Sequence, residues 1–163
     1  MNKFKIFKEI TIGGLTKEQL LRRLSGAGIQ FNQYANILFD HPQFLPSIKT
    51  EKVKLVKMPL SGLDLNDACS FEEFSSRVTM LKLKLCPLYL AAFLRLEYFD
   101  QTEGPYLTIA SNKPEANENY PNGFYIRNSD KALWLRGYRA DSFSGWPDHN
   151  EFIFIMRIYL LQD

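Results

Sequence analysis

The chain has 163 residues, the size of one ordinary domain and too short for a two-lobed nucleotide-driven motor or a large barrel enzyme. With 45% hydrophobic and 23% charged residues it can bury a core, and neither disorder nor a low-complexity filament fits. Basic residues number 20 and acidic residues 18, and a net charge of +2 excludes a surface wholly committed to phosphate backbones.

The charge is nevertheless uneven. Through Cys86 there are 13 Lys and Arg against 8 Asp and Glu, and from Pro87 onward 7 against 10, a gradient compatible with a polar binding face. Two cysteines, Cys69 and Cys86, are too few for a disulfide framework and lack zinc-ligand spacing. They are expected to be buried small hydrophobes in a reducing, cytoplasmic compartment. Met1 to Lys8 alternates Lys with Phe and Ile and has no uninterrupted apolar core, so it does not read as a secretory signal. The longest apolar stretch, Leu85 to Leu94, is too short to span a bilayer, and no membrane association is expected.

In chain order, Thr16 and Gln19 form a capping box that opens a helix with Leu20, Leu21 and Leu24 on one face, and Gly26 and Gly28 stop it. A second amphipathic run from about Gln30 to Phe39, carrying Phe31, Tyr34, Ala35 and Leu38, ends before His41-Pro42. Together they predict an N-terminal helical hairpin. Gln30, Asn32, Gln33 and Asn36 could read base edges in a major groove, but the second helix has no Lys or Arg to hold phosphates, so packing is the favoured role. Val53 to Met58 predicts a strand, with Lys49, Lys52, Lys54 and Lys57 protecting an exposed face or edge. A turn follows at Ser61-Gly62. Ser70 and Glu73 form a second capping box for a central helix whose buried stripe is Phe71, Phe74, Val78 and Leu81.

After Cys86-Pro87, Leu88 to Phe93 predicts a short buried helix, and from Leu94 an alternation of Leu94, Leu96 and Tyr98 against Arg95, Glu97 and Phe99 predicts a strand. Further strands are expected at Tyr106 to Ala110, Gly123 to Arg127, Ala132 to Tyr138 and Glu151 to Ile158, with a hairpin turn at Asn128 to Lys131. The expected fold class is therefore α+β: an N-terminal helical hairpin, a central helix and a mostly antiparallel sheet in the C-terminal half. Residues 1–50 form the hairpin region and 51–163 the α+β domain, the two running on as one continuous domain.

No phosphate loop, H-E-x-x-H, C-x-x-C or EF-hand spacing occurs, which removes the ordinary nucleotide, zinc and calcium sites, and no cofactor is expected. His41 and His149, each beside an Asp, are the two imidazoles available to a nucleophile, so a small hydrolase or transferase using one of them with nearby acids is the rival reading. Glu97, Asp100 and Glu103 form a further acidic group after the apolar segment. The richest surface lies in Phe124-Tyr125-Ile126-Arg127 and Trp134-Leu135-Arg136-Gly137-Tyr138-Arg139. If these are paired strands, Tyr125, Arg127, Trp134, Arg136, Tyr138 and Arg139 offer aromatic faces and guanidiniums to a protein or to an anionic or nucleic-acid partner.

The segments Thr11-Ile-Gly-Gly-Leu-Thr-Lys-Glu-Gln-Leu, Leu83-Lys-Leu-Cys-Pro-Leu, Leu94-Arg-Leu-Glu-Tyr-Phe-Asp-Gln, Asn122-Gly-Phe-Tyr-Ile-Arg and Leu133-Trp-Leu-Arg-Gly-Tyr-Arg, in that order, resemble a family of small uncharacterised bacterial proteins, some labelled "helicase". The helicase label does not transfer, because length and motifs supply neither a nucleotide site nor strand-moving lobes. In the pattern that this chain resembles, the segment after Cys-Pro carries a Glu and a His four residues apart. Tyr89 and Phe93 stand there instead, and a phenol and a phenyl ring cannot do the same proton chemistry. If that pair carries the family's activity, this chain has lost it, which adds to the expectation, drawn from its own residues, of a non-enzymatic binding module.

Overall fold

The computed structural model describes residues 4–157, and its sheet begins ahead of the first predicted helix. Lys8–Ile12 forms β1, in which Ile10 and Ile12 are buried while Glu9 and Thr11 face water. Helix α1, Lys17–Gly26, starts at the Thr16–Gln19 capping box and buries Leu20 and Leu24. The second helix, α2, is shorter than the sequence suggests. It spans Gln33–Phe39, because Gln30–Phe31 forms a two-residue strand, β2.

The helical hairpin is therefore a misreading. β2 pairs in parallel with the strand at Ala132–Tyr138, so the chain visits the sheet between the two helices. Helix α1 then packs on a later helix, whereas α2 packs on the sheet. Two local features force this. Asn32 caps α2 through Ala35 N–H, and its carboxamide also accepts from Gly137 N–H and donates to Gly137 C=O, each bond 2.9 Å long. A Cβ on Gly137 would lie 2.7 Å from the carbonyl carbon of Tyr34, so glycine permits the close approach of α2.

Strand β3 runs over Glu51–Pro59 and leads into a 3-10 turn at Leu60–Leu63. It lies between β1 and the last strand, so of the expected exposed face or edge the edge is excluded, while Lys52 and Lys57 are exposed on the strand. Helix α3, Phe71–Met80, starts at the Ser70–Glu73 capping box. After β4, Leu83–Lys84, helix α4 occupies Leu90–Glu97 and overrides the strand predicted from Leu94. Leu90 to Arg95 are all buried, so this helix lacks a polar face and its apparent alternation of period two is accidental.

Strands β5, Leu107–Ile109, β6, Gly123–Ser129, β7, Ala132–Tyr138, and β8, Glu151–Met156, complete the sheet. The predicted Ile158 lies outside the described residues. The β6–β7 turn places Asp130 and Lys131 at φ 54° and 62°, the paired left-handed conformation of a tight two-residue hairpin.

Among the described residues there are four helices and eight strands, with the helices spread along the chain. The strand order is β1-β3-β8-β5-β6-β7-β2, with β4 joining β8 beyond the end of β5. Two pairings, β2–β7 and β5–β8, are parallel. The sheet is thus mixed and drawn from the whole chain, not a C-terminal antiparallel unit.

Its two faces carry separate cores. On the first, Ile12, Leu55, Phe124, Ile126, Leu135 and Ile153 pack with residues of α1, α2 and α4. On the second, Val56, Met58, Phe152 and Phe154 pack with Phe74 and Val78 of α3 and with Phe143. Each fully buried large apolar side chain contributes about 1.5–3 kcal/mol relative to exposure. α4 ends on an unusual device. Arg95 is wholly buried, its Nη1 bonded to Gln101 Oε1 at 2.7 Å and to Trp134 O at 3.3 Å, and its Nη2 to Tyr98 O. Burial pushes this guanidinium down to about 10, and carbonyl and amide oxygens compensate it in place of a carboxylate. It fixes the end of α4 against the back of β7.

Candidate functional site

The second face of the sheet is covered by α3 and the 141–150 loop, whose Trp146 reaches Tyr138 of β7, and past that contact the half-buried side chains of β6 and β7 stand outside this cover. Register decides what stands there. Tyr125 lies opposite Arg136, Arg127 opposite Trp134, and Gly123 opposite Tyr138. Opposed residues share a face. Five of the six candidates, Tyr125, Arg127, Trp134, Arg136 and Tyr138, therefore project together, all of them half-buried. Arg139 follows Tyr138 and turns away. It donates to Glu118 C=O and pairs with Asp141 at 3.1 Å.

The two remaining arginines differ in freedom. Arg127 lies 4.2 Å over the ring of Tyr106 and donates to Gly104 C=O at 2.7 Å and to the Tyr106 hydroxyl at 3.1 Å, so it mainly shapes the approach to β5. Arg136 lies 3.9 Å over the Trp134 ring and has no hydrogen-bond or carboxylate partner among the described residues; its Nε is buried and unsatisfied. A guanidinium held over an indole with a donor left over is prepared to bind an oxyanion. The Trp134 indole N–H donates to Ser129 C=O at 3.1 Å, which fixes the ring under Arg136.

Aromatic contacts link this stripe to the second core. Tyr106 meets Tyr125 edge to face at 5.1 Å, Tyr125 meets Tyr138 at 6.5 Å, and Tyr138 meets Trp146 at 5.6 Å. Trp146 stacks on Phe152 at 5.5 Å with the rings 8° from parallel. Burial pushes the Tyr138 phenol above its ordinary value, so it stays protonated. Where the stripe reaches the second core there is a cleft of about 230 Å³, walled by Phe74, Tyr138, Phe143 and Phe152 and bordered by Ser111. The sequence reading missed Tyr106 and this cleft. Tyr106 could have been found, because it precedes Thr108 by two and Thr108 lies opposite Tyr125. The cleft could not, because its walls come from α3, β7, β8 and two loops.

The imidazoles are placed quite differently. His41 is buried, its Nε2 lies 2.7 Å from Glu115 Oε1, and its Nδ1 accepts from Gln43 N–H at 3.0 Å. Nδ1 is thus an acceptor and Nε2 carries the proton, so both nitrogens are engaged and none faces a nucleophile. His149 is exposed and has no hydrogen-bond partner among the described residues. The groove-reading candidates are likewise occupied or scattered: Gln30 is on β2, Asn32 is bound between α2 and Gly137, and Gln33 and Asn36 are exposed. Cys69 and Cys86 are free and buried, and burial raises both thiols. Among the described residues, no cluster of His, Cys, Asp and Glu could hold a metal ion, and no helix is long and apolar enough to cross a membrane.

Comparison of the chain with family models, curated proteins and solved structures finds no match.

Proposed function

We propose that this protein is a non-enzymatic binding module whose partner presents an anionic group to the open face of β5, β6 and β7. The observation that carries the reading is Arg136, a half-buried guanidinium 3.9 Å over the Trp134 ring, whose buried Nε has no hydrogen-bond partner among the described residues. Desolvated cations strengthen a charge-assisted hydrogen bond, and aromatic faces on either side suit planar groups such as nucleobases. Tyr106, Tyr125 and Tyr138 supply those faces, and Arg127 keeps Tyr106 in place. The rival reading, a hydrolase or transferase, gains no support from His41, whose nitrogens are both bound, or from His149, which stands alone. A cytoplasmic setting fits two unpaired buried thiols. The resemblance to small bacterial proteins belongs to the same reading.

The test is fluorescence polarisation with a labelled single-stranded oligonucleotide and, in a second arm, a labelled polyglutamate peptide. Saturable binding in the oligonucleotide arm that weakens about ten-fold or more in Arg136→Ala, at unchanged melting temperature, supports the site and a nucleic-acid partner. The same loss in the peptide arm alone assigns an acidic protein partner. Absence of saturable binding in both arms, or an unaffected Arg136→Ala, overturns the reading.

A further inference from the structure

The cleft below Tyr138 has a chemistry of its own. Five aromatic side chains, Phe71, Phe74, Phe143, Phe152 and Tyr138, line an interior of about 230 Å³. That is smaller than the roughly 300–1,000 Å³ of pockets for drug-sized ligands, so it suits a single ring and not a nucleotide. Such walls accept a further ring, as they already do among themselves: Phe143 and Phe152 meet edge to face at 5.9 Å, and Phe74 and Phe143 lie tilted at 5.0 Å.

Its rim is polar, and three groups there are left wanting. The Ser111 hydroxyl is buried and has no hydrogen-bond partner. Among the described residues the Lys113 ammonium pairs with no carboxylate and rests 5.9 Å over the Phe71 ring, while Glu72, exposed on the first turn of α3, enters no ion pair either. The two opposite charges border one opening without neutralising each other. A purely anionic ligand would meet Glu72 unpaired, and a purely cationic one would meet Lys113. A zwitterion satisfies both.

We propose that this cleft is a second binding site, for a small aromatic zwitterion: a ring against the aromatic lining, a carboxylate on Lys113 and Ser111, and an ammonium on Glu72. The site is independent of Arg136. Its size limits the ligand to one ring with a short head group, the chemistry of a free aromatic amino acid or of an aromatic residue at a chain end.

Trp146 provides the readout, since it touches Tyr138, Phe143 and Phe152 without bordering the opening, and the only other indole, Trp134, is removed in a Trp134→Phe background. L-phenylalanine, phenylacetate and phenethylamine are titrated into the millimolar range while Trp146 emission is followed. Phenylalanine is expected to give a saturable change and to bind about ten-fold more tightly than either truncated probe. Lys113→Met should abolish its advantage over phenethylamine, and Glu72→Gln its advantage over phenylacetate. Equal affinity for the three probes, absence of saturation, or preferences unmoved by both substitutions overturns the proposal. Arg136→Ala should leave the phenylalanine response intact while weakening partner capture, so failure of one site is distinguishable from failure of the other.

Discussion

Phe124 and Tyr125 are neighbours on β6, yet they belong to different parts of the molecule. Phe124 is 1% exposed and meets Phe39 and Phe44 at 5.6 and 5.8 Å, beneath the helical layer. Tyr125 stands half-buried on the opposite face between Tyr106 and Tyr138. One face of the sheet is closed by α1, α2 and α4. The other is closed over β3 and β8 and open over β6 and β7. On β6 and β7 the covered face carries Phe124, Ile126 and Leu135 and the other carries Tyr125, Arg127, Trp134, Arg136 and Tyr138, so core and candidate site differ in cover and in composition together.

That contrast can be broken by substitution. The largest effect is expected from Phe124→Ala, which should cost about 3–5 kcal/mol in denaturant unfolding, against at most about 1 kcal/mol for Tyr125→Ala. Equal losses at the two positions would mean that the open face is part of the core. A sharper comparison uses pH. The folded-state value of Tyr138 is raised above its ordinary 10, so the folded chain keeps a proton that the unfolded chain loses, and the stability from this group, whole below pH 10, declines as pH rises beyond it. Cys86 adds a limb of the same sign from about pH 9. Tyr138→Phe should therefore lose less melting temperature than the parent between neutral and strongly alkaline solution. A parallel decline would show that the phenol is not shielded. The smallest effect belongs to the hairpin tip, where Lys131 sits at φ 62°. Lys131→Gly should stabilise by roughly 0.5–1 kcal/mol, because a left-handed position disfavours a side chain, with no change in partner affinity.

Local signals in the sequence proved reliable. Thr16 with Gln19 and Ser70 with Glu73 start helices, and Asn128 to Lys131 turns β6 into β7, because each depends on residues within one turn of chain. Nonlocal choices did not show. β2 is two residues long and exists only because β7 offers an unpaired edge, and α4 lost its helical stripe because neighbours bury every side. Arg95 made that segment look like a strand with a charged face, although its charge is buried against oxygens supplied from 98, 101 and 134. For the candidate site, five of the six residues share a face through the alternation on β6 and β7, and Arg139, past the last paired position, lies apart from them. The cleft, assembled from distant segments, left no trace in spacing.

The Asn32 carboxamide has a consequence for how the molecule behaves in a crowd. Where β2 runs out after Phe31, that side chain takes both backbone groups of Gly137, as the amide of a longer strand would. Asn122 does likewise for Ala140, two hydrogen bonds of 3.0 Å closing the backbone just beyond β7. The backbone groups of Gly137 and Ala140 beside the aromatic stripe are thereby filled from within the chain, which leaves a foreign strand fewer free groups to pair with there.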